Sequence, residues 1–367
     1  MNRIWAAYTE TFKTIVTHST LLTTLILSVL FYSVFYPVAY QAEHAESLPI
    51  IVVDEEHSVL TQSIIHHVAK SPNVEIRRVT ISFLEAQQQV ENQQAAGILL
   101  LPENLSQSIR HGEPGGIGLY LSATNFLSTK QIGLGLASSI ENTLTEYAEP
   151  FGQISEFSPA LSIHSIPLFN PLSGYGSYIF PAVAPLIVHQ TILLGLSILL
   201  LIYRDQQIQF TLSRVAGLSL AILTIGIFGC LYLFGFAFWL FDYPRGGNFW
   251  GMLLAVPVYI YCLFGITLLF ASFLDMPERV GHIVVFSSIP LFMLSGVAWP
   301  HSAMPVWLGF IATWLPSTQA IQLFIQLNQM GVTTDLVIPK LLYLFFIGSL
   351  CLYWGYRRFQ TPPSMAQ

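Results

Sequence analysis

A chain of 367 residues with 53% hydrophobic and only 9% charged side chains, and a mean hydropathy of +0.60, would expose large apolar patches as a water-soluble fold. Fourteen lysines and arginines against twenty acidic residues give a net charge of −6, which provides no basic patch to track phosphates and argues against nucleic acid as a partner. The three cysteines, Cys230, Cys262 and Cys351, all fall in apolar runs and read as small buried hydrophobes rather than redox or metal groups.

Residues 1–19 place Ile4, Trp5, Tyr8, Phe12, Ile15 and Val16 at helical spacing, with Arg3, Glu10 and Lys13 off that stripe. This pattern predicts an amphipathic helix lying in the membrane interface. Residues 20–40 hold 21 positions without a charge, about 31 Å as a helix, enough to cross the hydrocarbon. With no short apolar run and cleavage site, this first span reads as a retained signal anchor.

Residues 41–172 change character and carry 14 of the 20 acidic residues. Leu48 to Asp54, Val74 to Thr80, Gly97 to Pro102 and Gly116 to Ala123 have strand composition. Ser58 to Ala69, Ser82 to Gln93 and Asn104 to Arg110 have helical spacing. The alternation predicts a small α/β domain, followed by a fourth helix over about Ser128 to Glu149. The adjacent His66 and His67 would point about 100° apart on a helix, which reads as a solvated pair rather than a metal site.

Further charge-free windows at Tyr178 to Tyr203, Val215 to Phe241 and Phe249 to Leu274 predict spans 2, 3 and 4. Within span 2, His189 and Gln190 are polar at membrane depth, and they serve either interhelical hydrogen bonding or a transport path. Trp239 and Tyr243, closing span 3, fit an interfacial aromatic belt. From His282 to Thr334, 53 residues lack Asp, Glu, Lys and Arg, too many for one span and interrupted by Pro300, Pro305 and Pro316. Span 5 is expected to end near Trp299, span 6 to run from about Leu336 to Tyr356, and residues 358–367 to form a tail. With the N-terminus inside, Arg3, Lys13, Arg204, Arg214, Arg279, Arg357 and Arg358 are cytoplasmic and only Arg245 and Lys340 lie on short outer flanks. Both termini are then cytoplasmic, and the α/β domain lies outside.

No G-x-x-x-x-G-K-[ST] loop occurs, nor H-E-x-x-H, G-x-S-x-G or Cys-x-x-Cys. The chain therefore reads as neither an ATPase nor an enzyme, with no metal site and no cofactor of its own.

Four stretches carry a family resemblance: "LPIIVVDEEHSVLTQSII", "GILLLPENLSQSIRHGEPGGIGLYLSATNF", "NPLSGYGSYIFPAVAPLIVHQTILLG" and "SSIPLFMLSGVAWPHSAMPVWLGFIATWLPSTQAIQLFIQLNQMG". Over nearly its whole length the chain resembles the ABC-2 (type V) export permeases, in the subgroup with a large extracytoplasmic domain after the first helix. The resemblance implies a membrane α-helical fold of six transmembrane helices, spanning 173–357 after the α/β domain, with a re-entrant outer hairpin over about 300–331. Gly296, Trp299, Pro300, Pro305, Trp307 and Pro316 would shape that hairpin into an outer gate, because broken backbone at membrane depth must be buried in protein. It also implies that the N-terminal elbow helix meets an ATPase, with Glu10 before Phe12 matching an "E-F"-like element that has one residue inserted.

Glu10, Lys13, Arg204, Asp205 and Arg214 would form the coupling surface. One departure stands out: the loop "YRDQQIQFTLSR" has Asp205 as its only acid and no glycine, which bears on ATPase coupling and suits one half of a heterodimer. The expected partners are an ABC ATP-binding subunit carrying ATP and Mg²⁺, a second permease copy or paralogue, the lipid bilayer, and a periplasmic membrane-fusion adaptor as a candidate further component. The expected activity is outward movement of an amphipathic or hydrophobic compound across an inner membrane. Export of a lipid or polymer, and a non-transporting receptor or scaffold, are the alternatives.

Overall fold

The computed structural model describes residues 2–39, 48–71, 74–92, 94–95, 97–111, 116–121 and 174–360, with isolated residues between 133 and 169. Internal packing divides the chain into two units, 42–166 and the remainder.

In the first unit, β1 (Leu48–Asp54), β2 (Val74–Thr80), β3 (Gly97–Leu101) and β4 (Gly118–Leu121) form one sheet in the order β2-β1-β3-β4. β1 runs parallel to both β2 and β3, and β4 is antiparallel to β3. The strand alternation of β1 sorts its side chains between two cores. Ile50 and Val52 pack with Leu60, Ile64 and Val68 of α3 (Val59–Ala69) and with Leu105 and Ile109 of α5 (Leu105–His111). Ile51 and Val53 pack with Ala86 of α4 (Phe83–Glu91) on the other face. Every expected strand and the first three helices of this unit stand within two residues of their expected bounds. The fourth expected helix, about 128–149, lies mostly outside the described residues, although Leu136 and Ile140 belong to the first core. Because both cores are closed within the unit, residues 42–166 expressed alone will be soluble and melt in one cooperative transition by circular dichroism. A fragment with no cooperative transition would show that it depends on the rest of the chain.

The second unit is helical: α1 (Asn2–Thr17), α2 (Ser19–Ala39), α6 (Tyr175–Asp205), α7 (Leu212–Leu240), α8 (Phe249–Ala271), α9 (Pro277–Met293), α10 (Val306–Thr313), α11 (Pro316–Gln329) and α12 (Thr334–Gln360). Five of these, α2, α6, α7, α8 and α12, are long and apolar enough to cross a membrane, and a bent pair, α10 with α11, makes up to six. Span 2 is the centre of the bundle: 83% of the apolar window of α6 is buried, against 28% for α2 and 22% for α12. Close approaches lock α12 to α8. A Cβ on Gly265 would press on the Gly348 carbonyl, and one on Gly355 would stand 2.7 Å from the Leu269 nitrogen.

Two expectations need correction. The helix expected as span 5, α9, has 17 residues, ends at Met293 rather than near Trp299, and is not among the helices long and apolar enough to cross a membrane, because Gly296 turns the chain at φ +86 and side chains take the Leu294 carbonyl. Tyr243 is no interfacial anchor. The turn at Asp242 (φ 54) sends it back into the bundle, 5.6 Å from the Phe180 ring and 6.0 Å from that of Phe238, whereas Trp239 is exposed. The elbow helix α1 divides its apolar stripe between the protein and its surroundings. Ala7, Thr11 and Ile15 face the protein, while Trp5, Phe12 and Val16 stay exposed.

Candidate functional site

The expected coupling residues gather at one end of the bundle. Glu10 Oε2 lies 3.2 Å from Arg214 Nη2, tying α1 to the start of α7. One turn of α7 further on, Gly217 lets α1 approach so closely that a Cβ there would stand 2.6 Å from the Ile4 carbonyl. Thr11 Oγ1 and the Tyr203 hydroxyl are 3.3 Å apart, and the Arg214 guanidinium sits 5.8 Å over the Tyr203 ring. Arg204 donates to the carbonyls of Leu274 at 2.6 Å and Asp275 at 3.1 Å, which caps the turn between α8 and α9. Asp275 in turn pairs with Arg279 at 2.7 Å. The end of α12 joins the same surface, with Phe359 4.6 Å from Phe210 and Arg358 4.1 Å over Phe273. Of the five expected residues, Glu10, Arg204 and Arg214 are thus engaged inside the chain. Lys13 and Asp205 are left as exposed charges on this face.

The residues expected at the gate lie beyond α9. Gly296, at φ +86, has no room for a side chain: a Cβ would stand 2.7 Å from the His301 ring. His301 Nε2 and Thr318 Oγ1 each lie 3.2 Å from the Leu294 carbonyl, and Gln322 reaches His301 Nδ1 and the Ser295 carbonyl at 3.4 Å. The Tyr178 hydroxyl donates to the Val297 carbonyl at 2.8 Å, fastening the break to span 2. Pro305 stands just before α10 and Pro316 opens α11, and the two helices meet at 73°. Trp307 and Trp314 are exposed, and Trp299 is half-buried beside the exposed Pro300. The carbonyls of Leu294, Ser295 and Val297 are therefore met by protein side chains, whereas Val306, Trp307, Phe310 and Ile311 leave α10 largely exposed rather than buried in protein.

Between these two regions, a cavity of about 310 Å³ lies among α2, α6 and α9. Val183, Ile187 and Val284 give it apolar walls, and Thr24, Ser28, Tyr32, Gln190 and Ser288 add polar groups. The hydroxyls of Thr24, Ser28 and Ser288 are bonded to carbonyls of their own helices at 2.7–2.8 Å. Gln190 differs. Both ends of its amide are buried and without a partner among the described residues, so this side chain brings an unspent donor and acceptor to the cavity wall. His189 does not line it, and is buried with Nδ1 unpartnered among the described residues. Sequence reasoning named both but had no means of separating them. It missed Thr24, Ser28, Tyr32 and Ser288, whose polarity in apolar runs was the available signal.

In the first unit, the crevice beyond the carboxyl ends of β1 and β3, where α/β folds commonly take ligands, is occupied by the chain itself. The Glu56 carboxylate accepts from Ser106 N and Oγ at 2.9 Å and from Ser58 Oγ at 2.8 Å. Among the described residues, no group of three His, Cys, Asp or Glu is placed to hold a metal ion.

Several apolar helices, one of them broken, around a cavity whose apolar walls carry a few polar groups define a multi-pass membrane protein of transport type. The model of the ABC-2 family transporter proteins matches residues 18–356, and the chain belongs to that family. No curated protein matches it.

Proposed function

We propose that this chain is the permease subunit of an ABC exporter, moving an amphipathic or hydrophobic compound outward while a separate ATP-binding subunit, with Mg²⁺, hydrolyses ATP. The observation that carries this reading is the unpaired amide of Gln190, a residue lining a mainly apolar cavity among the spans. Such a group is costly against hydrocarbon and useful only where water, substrate or another protein face meets it. The cavity is flanked by exposed apolar side chains of α2 and α9, among them Phe31, Phe35, Val285 and Phe286. A second permease copy or paralogue covering them would enclose a path between two such cavities.

By the positive-inside rule, the end bearing Lys13, Arg204, Arg214, Arg279, Arg357 and Arg358 faces the cytoplasm, and the hinge around Gly296 is the outer gate. The acidic α/β unit then lies outside an inner membrane, where a membrane-fusion adaptor could dock. ATP-driven movement of the partner would act on α1 and the 204–214 loop. The Glu10–Arg214 pair and the Arg204 cap would transmit it to spans 2, 3 and 5 as shifts of rigid helices.

Two measurements test this. A reporter fused after Ala123 should read as extracytoplasmic and one after Gln207 as cytoplasmic; the same side for both would end the topology. Purified chain should hydrolyse no ATP alone but should co-purify with an ATP-binding subunit. Reversing the two free charges, Lys13→Glu with Asp205→Lys, should weaken that complex, because like charges across an interface cost several kcal/mol. The internal Glu10–Arg214 pair is untouched by that change, so retention of both partner and export would remove this coupling surface.

A further inference from the structure

A second cavity, of about 360 Å³, opens between α7 and α8 at the end of the bundle that carries Arg245. Its walls are apolar, with Ile227, Leu231 and Phe234 from α7 facing Leu253 and Val256 from α8. Phe249 and Pro257, both on its wall, are eight residues apart on one helix, so the groove runs about 12 Å along the bundle. Leu231, Phe249 and Leu253 are more than half exposed, and the groove therefore opens sideways towards the surrounding medium.

Two irregular turns shape it. Leu231–Ala237 and Ile325–Gln329 are both π-helical, a widened form that often marks functional sites. The first leaves Gly235 on the wall, where an added Cβ would meet nothing within 4 Å. The second brings Asn328 in from α11.

The polar end of the groove is unusual for an apolar cleft. Asn328 is 5% exposed, and its Oδ1 accepts from the Gly246 N–H at 2.9 Å. A backbone donor requires an acceptor, so the amide nitrogen is the other atom; this Nδ2, on a residue that lines the groove, is buried with no partner among the described residues. Arg245 stands at the mouth. Its contacts among the described residues use Nη1 alone, reaching the Tyr243 carbonyl at 3.3 Å and the Asp242 carboxylate at 3.8 Å. Asp242 is 89% exposed, so this long contact is weakened by water.

We propose that this groove binds a phospholipid of the bilayer with an anionic headgroup. One acyl chain lies between α7 and α8, and the headgroup meets the free edge of Arg245 and the Asn328 Nδ2. A neutral hydrophobe would leave both donors unmet, and a free anion would leave 12 Å of apolar wall uncovered, about the figure set by the helix rise. A guanidinium beside apolar walls fits a lipid phosphate in charge and geometry. This site is separate from the Gln190 cavity, and its test does not depend on export.

The test uses the full-length chain in mild detergent, with thermal stability titrated against phosphatidylglycerol, phosphatidylcholine and inorganic phosphate, and retained lipid counted by native mass spectrometry. Phosphatidylglycerol should raise the midpoint and remain bound, and the other two should not. Arg245→Gln, and Asn328→Asp, which keeps the acceptor for Gly246 but reverses the polarity facing the headgroup, should each weaken binding at least about tenfold, the loss of one charge-assisted contact. Gly235→Leu fills the groove without a clash in the fold and should abolish retained lipid, which keeps the test decisive if Asn328→Asp misfolds. Equal stabilisation by the two lipids would overturn the choice of an anionic headgroup. A full shift with inorganic phosphate would make it a headgroup-only anion site, and wild-type binding by folded Arg245→Gln and Gly235→Leu would overturn it outright.

Discussion

Gly265→Leu will be the most destabilising of the glycine-to-leucine substitutions in the helical unit. At this position α8 and α12 meet backbone to backbone, and the new side chain would press on the Gly348 carbonyl, which has no rotamer by which to move aside. The same seam continues where a Cβ on Gly348 would stand 2.7 Å from Cys262 Cα, so α12 cannot relieve the strain by sliding along α8. Overpacking typically costs 1–3 kcal/mol, and an obstacle made of backbone puts this case at about 3 kcal/mol. In a chain of this size that corresponds to a fall in melting temperature of roughly 5–10 °C. Gly281→Leu and Gly309→Leu are the controls, since nothing lies within 4 Å of either added Cβ. Equal melting temperatures for Gly265→Leu and these controls would show that the seam does not hold the bundle together.

The second large effect falls on export. Gly296→Leu should leave membrane insertion and partner binding intact and reduce export at least about tenfold, equivalent to 1.4 kcal/mol or more on the working cycle. Two penalties combine there. A left-handed backbone costs an ordinary residue about 1–2 kcal/mol, and the side chain must displace the His301 ring, only 2.7 Å from where its Cβ would stand. Expelling His301 also undoes its contacts with the Leu294 carbonyl and Gln322, which hold α9 against α11. Gly296→Ala should fall between wild type and Leu. Export at the wild-type level in Gly296→Leu would remove this hinge from the proposed gate.

Much of the architecture was legible in order along the chain, because it rests on properties that each segment carries alone. A charge-free run must find an apolar surrounding whatever packs beside it, so four of the expected spans stand within a few residues of α2, α6, α7 and α8, and α12 is close behind. The β-branched runs Leu48–Asp54 and Val74–Thr80 became strands with the bounds expected, since an alternating, half-buried surface suits a sheet. Pro305 and Pro316 marked the starts of α10 and α11 for the same local reason: a missing N–H and a fixed φ act on any backbone.

What only the tertiary structure decided is which face of each element is inside and what each polar group meets there. Thr11, one of several polar residues in the elbow, is buried because Tyr203, 192 residues away, stands opposite. Arg204 looked like an exposed coupling charge until the turn after α8 supplied carbonyls for it. Tyr243 followed the backbone at Asp242 into the core, although its neighbour Trp239 did not. Asn328 was one polar residue among Gln326 and Gln329 with nothing local to single it out; it gains meaning from Gly246, which uses its oxygen and leaves its nitrogen without a partner among the described residues. Hydropathy and spacing are sums over neighbours in the chain, and they determine that a segment is buried in membrane or sheet. The pairing of a donor with an acceptor depends on distances across the fold, and no local property of the chain encodes those.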